Sequence, residues 1–521
     1  MHTDQGVDVD ILTARREGSP EAVREILDKQ SAVTSSRLPM PVLSDLVSGG
    51  MRFLLMPYNA SWRKLRGIVH QLLAPRMSGV FAPSQEFEAK QLMFECLTDN
   101  KTDMDFYQHV RRYAASVVMA STYGRRIPKW VRSTTLPFEE STVLTTEQQD
   151  CDDIREIYGL MEEFSISATP GYFLADTFPP LAKLPVFLQP WRRQAAVYFE
   201  RQAKIWMRYW STLSSQIAAG NAPACFVKQF KETGYESLNI SELQAAFLAG
   251  TMIEAGSETT SATLNIALLH LAAFPQKARA AQKEIDRVVG SERCPSFADE
   301  DQLPYIRAIV KEILSVRPYL VCSPPPCTPA DPRLASRMFP TTTFGVPHYT
   351  DDDVKYKDMI IPKGTVVVMN QQKLHFDPSR WEDPFEFRPE RYLSYPLKAS
   401  AYAAMADASK RDHFSFGAGT FSFTFFSFFF PSFFLVGICP PRTDYRHRPK
   451  GLPWDASRRK LAFHHAGESV VGVRHFAAAG RERKGGPRGH ERGCVSSWLR
   501  HPGEAVQAAF WGEEPRDRDH A

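Results

Sequence analysis

The chain has 521 residues, 43% of them hydrophobic, and a formal net charge of +4. That is enough apolar material for a large core or several domains, and too little charge for the length to mark a dedicated nucleic-acid binder. Eight cysteines are scattered without a disulfide framework or zinc spacing, and Cys322 and Cys327 read more readily as chance neighbours in a proline-rich run than as a metal site, which fits a reducing compartment.

The polar start, MHTDQGVDVDILTARREGSPEA, reads as neither signal peptide nor anchor helix. Ser19 is a candidate cap with Pro20 at the first helical position, opening the amphipathic run EAVREILDKQSAV. SSRLPMPVLSDLVSGG then reads as a turn-rich loop. In Tyr58 to Arg66, YNASWRKLR, Trp62 and Arg66 stand four apart and share one helical face; taken alone, this is a basic amphipathic surface helix. From Gln85 to Gly234 successive helices are expected, with Asp152 to Met161 and Pro190 to Ile217 among them. Their Phe, Leu and Trp residues either line a pocket or fill a core, and both readings stay open.

The stretch Ser241 to Phe274, SELQAAFLAGTMIEAGSETTSATLNIALLHLAAF, is apolar nearly all round. Ser241 and Gln244 form a capping-box pattern and Pro275 ends the run. As a helix it is roughly 50 Å long, and it should be buried. Glu254 and Glu258 argue against a bilayer span. Gly256, Glu258, Thr259 and Thr260 at its centre need a reason, because Gly weakens a helix interior and buried polar groups need partners. Two readings follow: a core helix with a polar kink, or a helix opened beside a cofactor where acid and alcohol relay protons. Beyond it, PQKARAAQKEIDRVVG and LPYIRAIVKEILSVRP read as helices, residues 319–343 as a proline-rich insert, and MIIPKGTVVVMN as a strand pair turning at Lys363-Gly364.

Ala255-Gly256-Ser257-Glu258-Thr259-Thr260 resembles the oxygen-activation motif of the cytochromes P450, the haem-thiolate monooxygenases. Several neighbours resemble that family in the expected order. Trp62 and Arg66 match its propionate-binding pair, and His348 in Gly345-Val346-Pro347-His348 resembles another propionate ligand. Glu312 and Arg391, the latter in Phe387-Arg388-Pro389-Glu390-Arg391, match its structural ion-pair core, but Ser315 stands where a second Arg is expected. RRYAASVVMASTYGRRI, from Arg111, resembles the fungal microsomal members similar to O-methylsterigmatocystin oxidoreductase. The resemblance implies a mostly α fold with a small β region, incomplete at both ends, over residues 18–419. Residues 1–17 would be a leader outside the family, with the usual N-terminal anchor missing. It also implies a haem b cofactor, O2, an NADPH–cytochrome P450 reductase partner, an apolar substrate, and catalytic roles for Glu258 and Thr259.

The resemblance weakens at Arg411-Asp412-His413-Phe414-Ser415-Phe416-Gly417-Ala418-Gly419, the start of a cysteine-ligand loop. Phe423 occupies the place expected for Cys, and the Phe- and Ser-rich run Thr420 to Gly437 intervenes before Cys439, the candidate metal ligand. That run reads as a translated pyrimidine tract or as a membrane segment of borderline length. Gly437 replaces the Arg expected two residues before the ligand, and residues 438–521 read as an unrelated, disordered tail. Three functions are therefore weighed. They are an apolar-substrate monooxygenase at the endoplasmic reticulum, a mis-spliced form without proper haem binding, and an interaction protein inserted through Thr420 to Gly437. Without the anchor, the location is cytoplasmic or membrane-associated.

Overall fold

The computed structural model describes residues 19–72, 75–98, 105–128, 146–315 and 346–419. The proline-rich insert, the Phe-rich run, the tail and Cys439 lie outside the described residues.

Nine helices of seven residues or more occur among the described residues: α1 Ala60–Leu72, α2 Pro75–Thr98, α3 Asp105–Tyr123, α4 Thr146–Ser167, α5 Trp191–Ala218, α6 Phe226–Glu232, α7 Glu242–Ala273, α8 Pro275–Val288 and α9 Pro304–Ser315. The helical periods and the stop at Pro275 were legible, and the fold is mostly α. The Ser241 hydroxyl accepts the Gln244 N–H at 3.1 Å, one half of the expected box. Pro275 ends α7 and opens α8, where its missing N–H leaves nothing unsatisfied. α7 runs as α-helix without a break from Glu242 to Ala273.

α7 is the axis because its small residues let neighbours close in. A Cβ on Gly250 would lie 2.4 Å from the Trp206 ring of α5, and one on Gly256 would lie 2.4 Å from Val118 of α3. The Trp210 indole of α5 donates to Glu242 at 2.9 Å, fixing the first turn. α3 is locked to α2 by the buried Arg112, which reaches Glu88 at 2.7 Å and Glu95 at 2.8 Å. The main core collects Trp62, Tyr113, Trp206, Trp210, Phe230 and Phe247 around these helices. Of these, Trp206 and Trp210 lie in the stretch Pro190 to Ile217 and are buried in the core.

Three sequence expectations are corrected. The run after Pro20 is only briefly α-helical and then winds wider, as a π-helix, over Val23–Asp28; a second such turn, Leu43–Val47, lies in the supposed loop. That loop also contains strand β1 (Ser36–Arg37), which pairs antiparallel with β2 (His348–Tyr349); β2 pairs in turn with β5 (Val366–Val367). β3 (Val354–Tyr356) and β4 (Met359–Ile361) form a separate hairpin. Residues 359–361 and 366–367 thus belong to different sheets and not to one strand pair. Pro362 lacks an N–H for a ladder, and the chain reverses before it, at Lys357, whose φ is +53°.

Candidate functional site

The centre of α7 divides its polar groups between two directions. Thr259 Oγ1 donates to the Ala255 carbonyl one turn back, and Thr263 Oγ1 donates to Thr259 O at 2.8 Å. Such back-bonding satisfies a hydroxyl without leaving the helix and keeps its lone pairs available. Glu258, about 100° further round, points to Arg111 of α3, with 3.5 Å between carboxylate and guanidinium. The Arg111 guanidinium lies 3.6 Å above the Tyr158 ring of α4, whose hydroxyl donates to the Arg111 carbonyl at 3.1 Å. The acid and the alcohol are therefore anchored separately. α7 is fully buried at Ile253 and Leu264, but Ala255, Glu258, Thr259, Ala262 and Ile266 are only partly so. With Glu254, Thr263 and Asn265, which are also partly exposed, they recur at a three-and-four spacing, so a broad stripe along the centre of α7 remains open.

α1 meets β1 through Tyr58 and Ser36, beside Trp62, Arg37 and His348. Trp62 is buried and stacks parallel to Phe53 with ring centroids 5.4 Å apart. Tyr58, packed on Trp62, donates its N–H to Ser36 Oγ at 3.1 Å, joining the start of α1 to β1. Arg37 is paired with His348 across the ladder and donates to the Val346 carbonyl at 2.6 Å. Burial pushes Arg37 down to about 9 and lowers Arg66 on α1 as well. His348 holds Nδ1 2.8 Å from the Thr34 carbonyl, which can only accept, so Nδ1 carries the proton. Burial, aided by Arg37, pushes that ring down to about 3. It is neutral at pH 7, and its Nε2 accepts rather than donates. Arg37, which sequence reading passed over as a loop residue, brings a guanidinium to the same ladder position as His348.

The start of the ligand loop is held on two sides. Asp28 accepts from Arg411 at 2.8 Å and from the Gly419 N–H at 2.7 Å. Gly419 has φ +66°, and a Cβ there would meet the Leu27 carbonyl at 2.6 Å, so glycine is required. Asp412 faces Lys311 of α9 at 3.0 Å, with both side chains buried. The Phe414 N–H donates to His375 Nε2 at 2.7 Å, and Ser415 Oγ donates to the Leu314 carbonyl at 2.5 Å.

Glu312 is buried and paired. Arg391 Nε lies 3.1 Å away and the Arg388 N–H donates at 2.6 Å. Arg391 also donates to the carbonyls of Glu382, Asp383 and Glu386. The buried Ser315 bonds Tyr392 Oη at 2.6 Å, so its place is filled by a neutral pair.

The donor set fits the carboxylate edge of a haem. Arg37 and Arg66, the latter one turn along α1 from Trp62, supply the guanidinium chemistry that a carboxylate calls for. The open stripe on α7 offers small residues for a flat group to approach. Cys439 is outside the described residues, so the axial side rests on sequence alone.

A sequence model of the family described as Cytochrome P450 matches residues 17–331 and 335–420. Cytochrome P450 monooxygenase pgmC of Aspergillus terreus is 40% identical over 403 residues, covering 77% of this chain and 65% of that protein. Cytochrome P450 monooxygenase verL of Clonostachys rogersoniana is 37% identical, covering 77% and 66%. The chain thus spans just under two thirds of these curated relatives. A solved structure of a zebra fish cytochrome P450 with abiraterone matches in fold, with a TM-score of 0.58 and 19% identity over 81% of this chain and 83% of that one.

Proposed function

Because the chain belongs to the cytochrome P450 family, we propose that it is a haem-dependent monooxygenase scaffold acting on an apolar organic molecule, a secondary metabolite or xenobiotic. The observation that carries this is the family match, which runs through both the centre of α7 and the clamped start of the ligand loop. Haem bound through a thiolate supplies the activation of O2, with electrons from an NADPH–cytochrome P450 reductase. The chain's own residues do the rest. Arg66, Arg37 and the Trp62 indole hold the propionate edge, while His348 orients Arg37 across the ladder. Thr259 holds a hydroxyl at the open stripe, and Glu258, tethered by Arg111, exchanges protons with solvent behind it. Glu312 and Arg391 keep α9 against the segment that leads to the loop.

A second reading, an inactive form without properly bound haem, is favoured by one observation. The family match ends at residue 420, ahead of Cys439. The ferrous carbon-monoxide spectrum of the purified chain, alongside Cys439→Ala, decides between the two. We expect Cys439 to be a poor ligand, giving a weak thiolate-type band or none. A strong band near full occupancy, lost in the variant, establishes the working monooxygenase.

Membrane contact is a separate matter. Among the described residues no helix is long and apolar enough to cross a membrane. We assign any association to Thr420 to Gly437, with the endoplasmic reticulum as the family's usual site.

A further inference from the structure

Arg52, in the loop before α1, reaches the middle of α7 and binds Glu254 through Nη1 and Oε2. Its Nη2 donates to Gln202 Oε1 of α5 at 2.6 Å, and its guanidinium lies 3.9 Å above the Phe164 ring of α4. Four segments therefore meet at one ion pair, one turn before Glu258 on α7. The side chains are only 4% and 11% exposed.

A guanidinium and a carboxylate can make two parallel bonds. This pair makes one. Arg52 Nε and Glu254 Oε1 are both shielded from solvent and have no hydrogen-bond partner among the described residues. A buried donor and a buried acceptor are thus left over on two groups already joined to each other. Each such orphan is costly in an apolar interior, and bulk water cannot reach either one. Gln202 does not serve them, because its amide nitrogen is used by the Val47 and Tyr198 carbonyls. Phe164 lies under the guanidinium, and α5 and α7 also carry the stacked Phe199 and Phe247.

We infer that Arg52 and Glu254 form the polar anchor of a ligand site that takes a hydroxyl-bearing, apolar and preferably aromatic molecule. A hydroxyl satisfies both orphans at once, donating to Glu254 Oε1 while accepting from Arg52 Nε. An ether or hydrocarbon of the same shape leaves the carboxylate oxygen unpaired, and a site built around buried polar groups rejects such analogues strongly. The identification of this ligand as substrate rests on the monooxygenase reading; the site itself does not.

The test is calorimetric titration of the full chain with 1-naphthol and with 1-methoxynaphthalene, which differ at the oxygen donor. The wild-type chain should bind the naphthol at least about tenfold more tightly. In the double variant Arg52→Met/Glu254→Leu, which strands no charge, the two affinities should agree within about twofold. Equal affinities in the wild-type chain, no binding of either compound, or a preference that survives the double substitution each overturns the proposal. A purely structural pair would change the melting temperature and leave the ratio at one. The carbon-monoxide spectrum reads the haem separately. A naphthol preference without the thiolate band removes the monooxygenase and keeps the anchor, and the reverse result removes the anchor alone.

Discussion

At Glu312, burial and pairing pull in opposite directions. Arg391 and the Arg388 N–H favour the carboxylate, but burial outweighs them and pushes the group up to about 7 from an ordinary 4.5. The folded chain therefore holds this proton more tightly than the unfolded chain. The resulting stabilisation is fully present below about pH 4.5 and is lost as the pH rises through about 7, a swing of about 3 kcal/mol. Ser315 is where the family pattern places a second guanidinium, three residues along α9 and on the same face as Glu312. Ser315→Arg should bring the carboxyl back down and flatten the swing. Overpacking beside Tyr392 would cost stability at every pH, so the informative quantity is the change in melting temperature between pH 5 and pH 8. That change should shrink in the variant. An unchanged pH dependence would show that Glu312 does not titrate in this window. The missing cation was legible in the sequence, and so was Arg391. The neutral Ser315–Tyr392 bond that fills the gap was not, because it joins residues far apart in the chain.

Among elements, α7 was the most legible because its signals are local: a cap at Ser241, an apolar run and a proline at 275. The reason for Gly256 was not legible. The sequence offered two settings for that residue, a core helix with a polar kink and a helix opened beside a cofactor; the fold uses it to bring α3 close at Val118. Gly256→Ala would gain about 1 kcal/mol in helix propensity. It should lose more to the collision with Val118, in the range of about 1–3 kcal/mol for overpacking. Gly256→Ala should therefore lower the melting temperature, and adding Val118→Ala should restore much of the loss. If the two substitutions simply add, the close approach is not what requires glycine. The small strands were missed for the opposite reason. β1 is two residues long, and its identity comes from pairing with β2 near the other end of the described chain. The Arg52–Glu254 pair is hidden in the same way, since neither residue shows a pattern until the loop before α1 folds over α7.

At the scale of the whole molecule, the proposed membrane contact rests on where the apolar runs lie. Glu254 and Glu258 argued from sequence that α7 is no bilayer span, and the fold agrees, with Arg52 and Arg111 holding the two carboxylates inside the protein. The described helices offer no other crossing. Thr420 to Gly437 is the one strongly apolar run in the sequence outside them, dense in Phe but interrupted by Pro431. The residue before it, Gly419, is tied to Asp28 and pressed against the Leu27 carbonyl. A chain leaving that clamp carries many aromatic side chains, whose exposure to water is unfavourable and whose transfer to a bilayer interface is favourable. Deleting residues 420–437 should therefore move the protein from the membrane pellet to the supernatant on cell fractionation, with a detergent-free flotation gradient separating membrane from aggregate. The deletion leaves the Asp28 clamp intact, so the melting temperature of the remaining chain should change little. If the deleted protein still floats with membranes, the attachment belongs to another part of the molecule, and the assignment to this run is wrong.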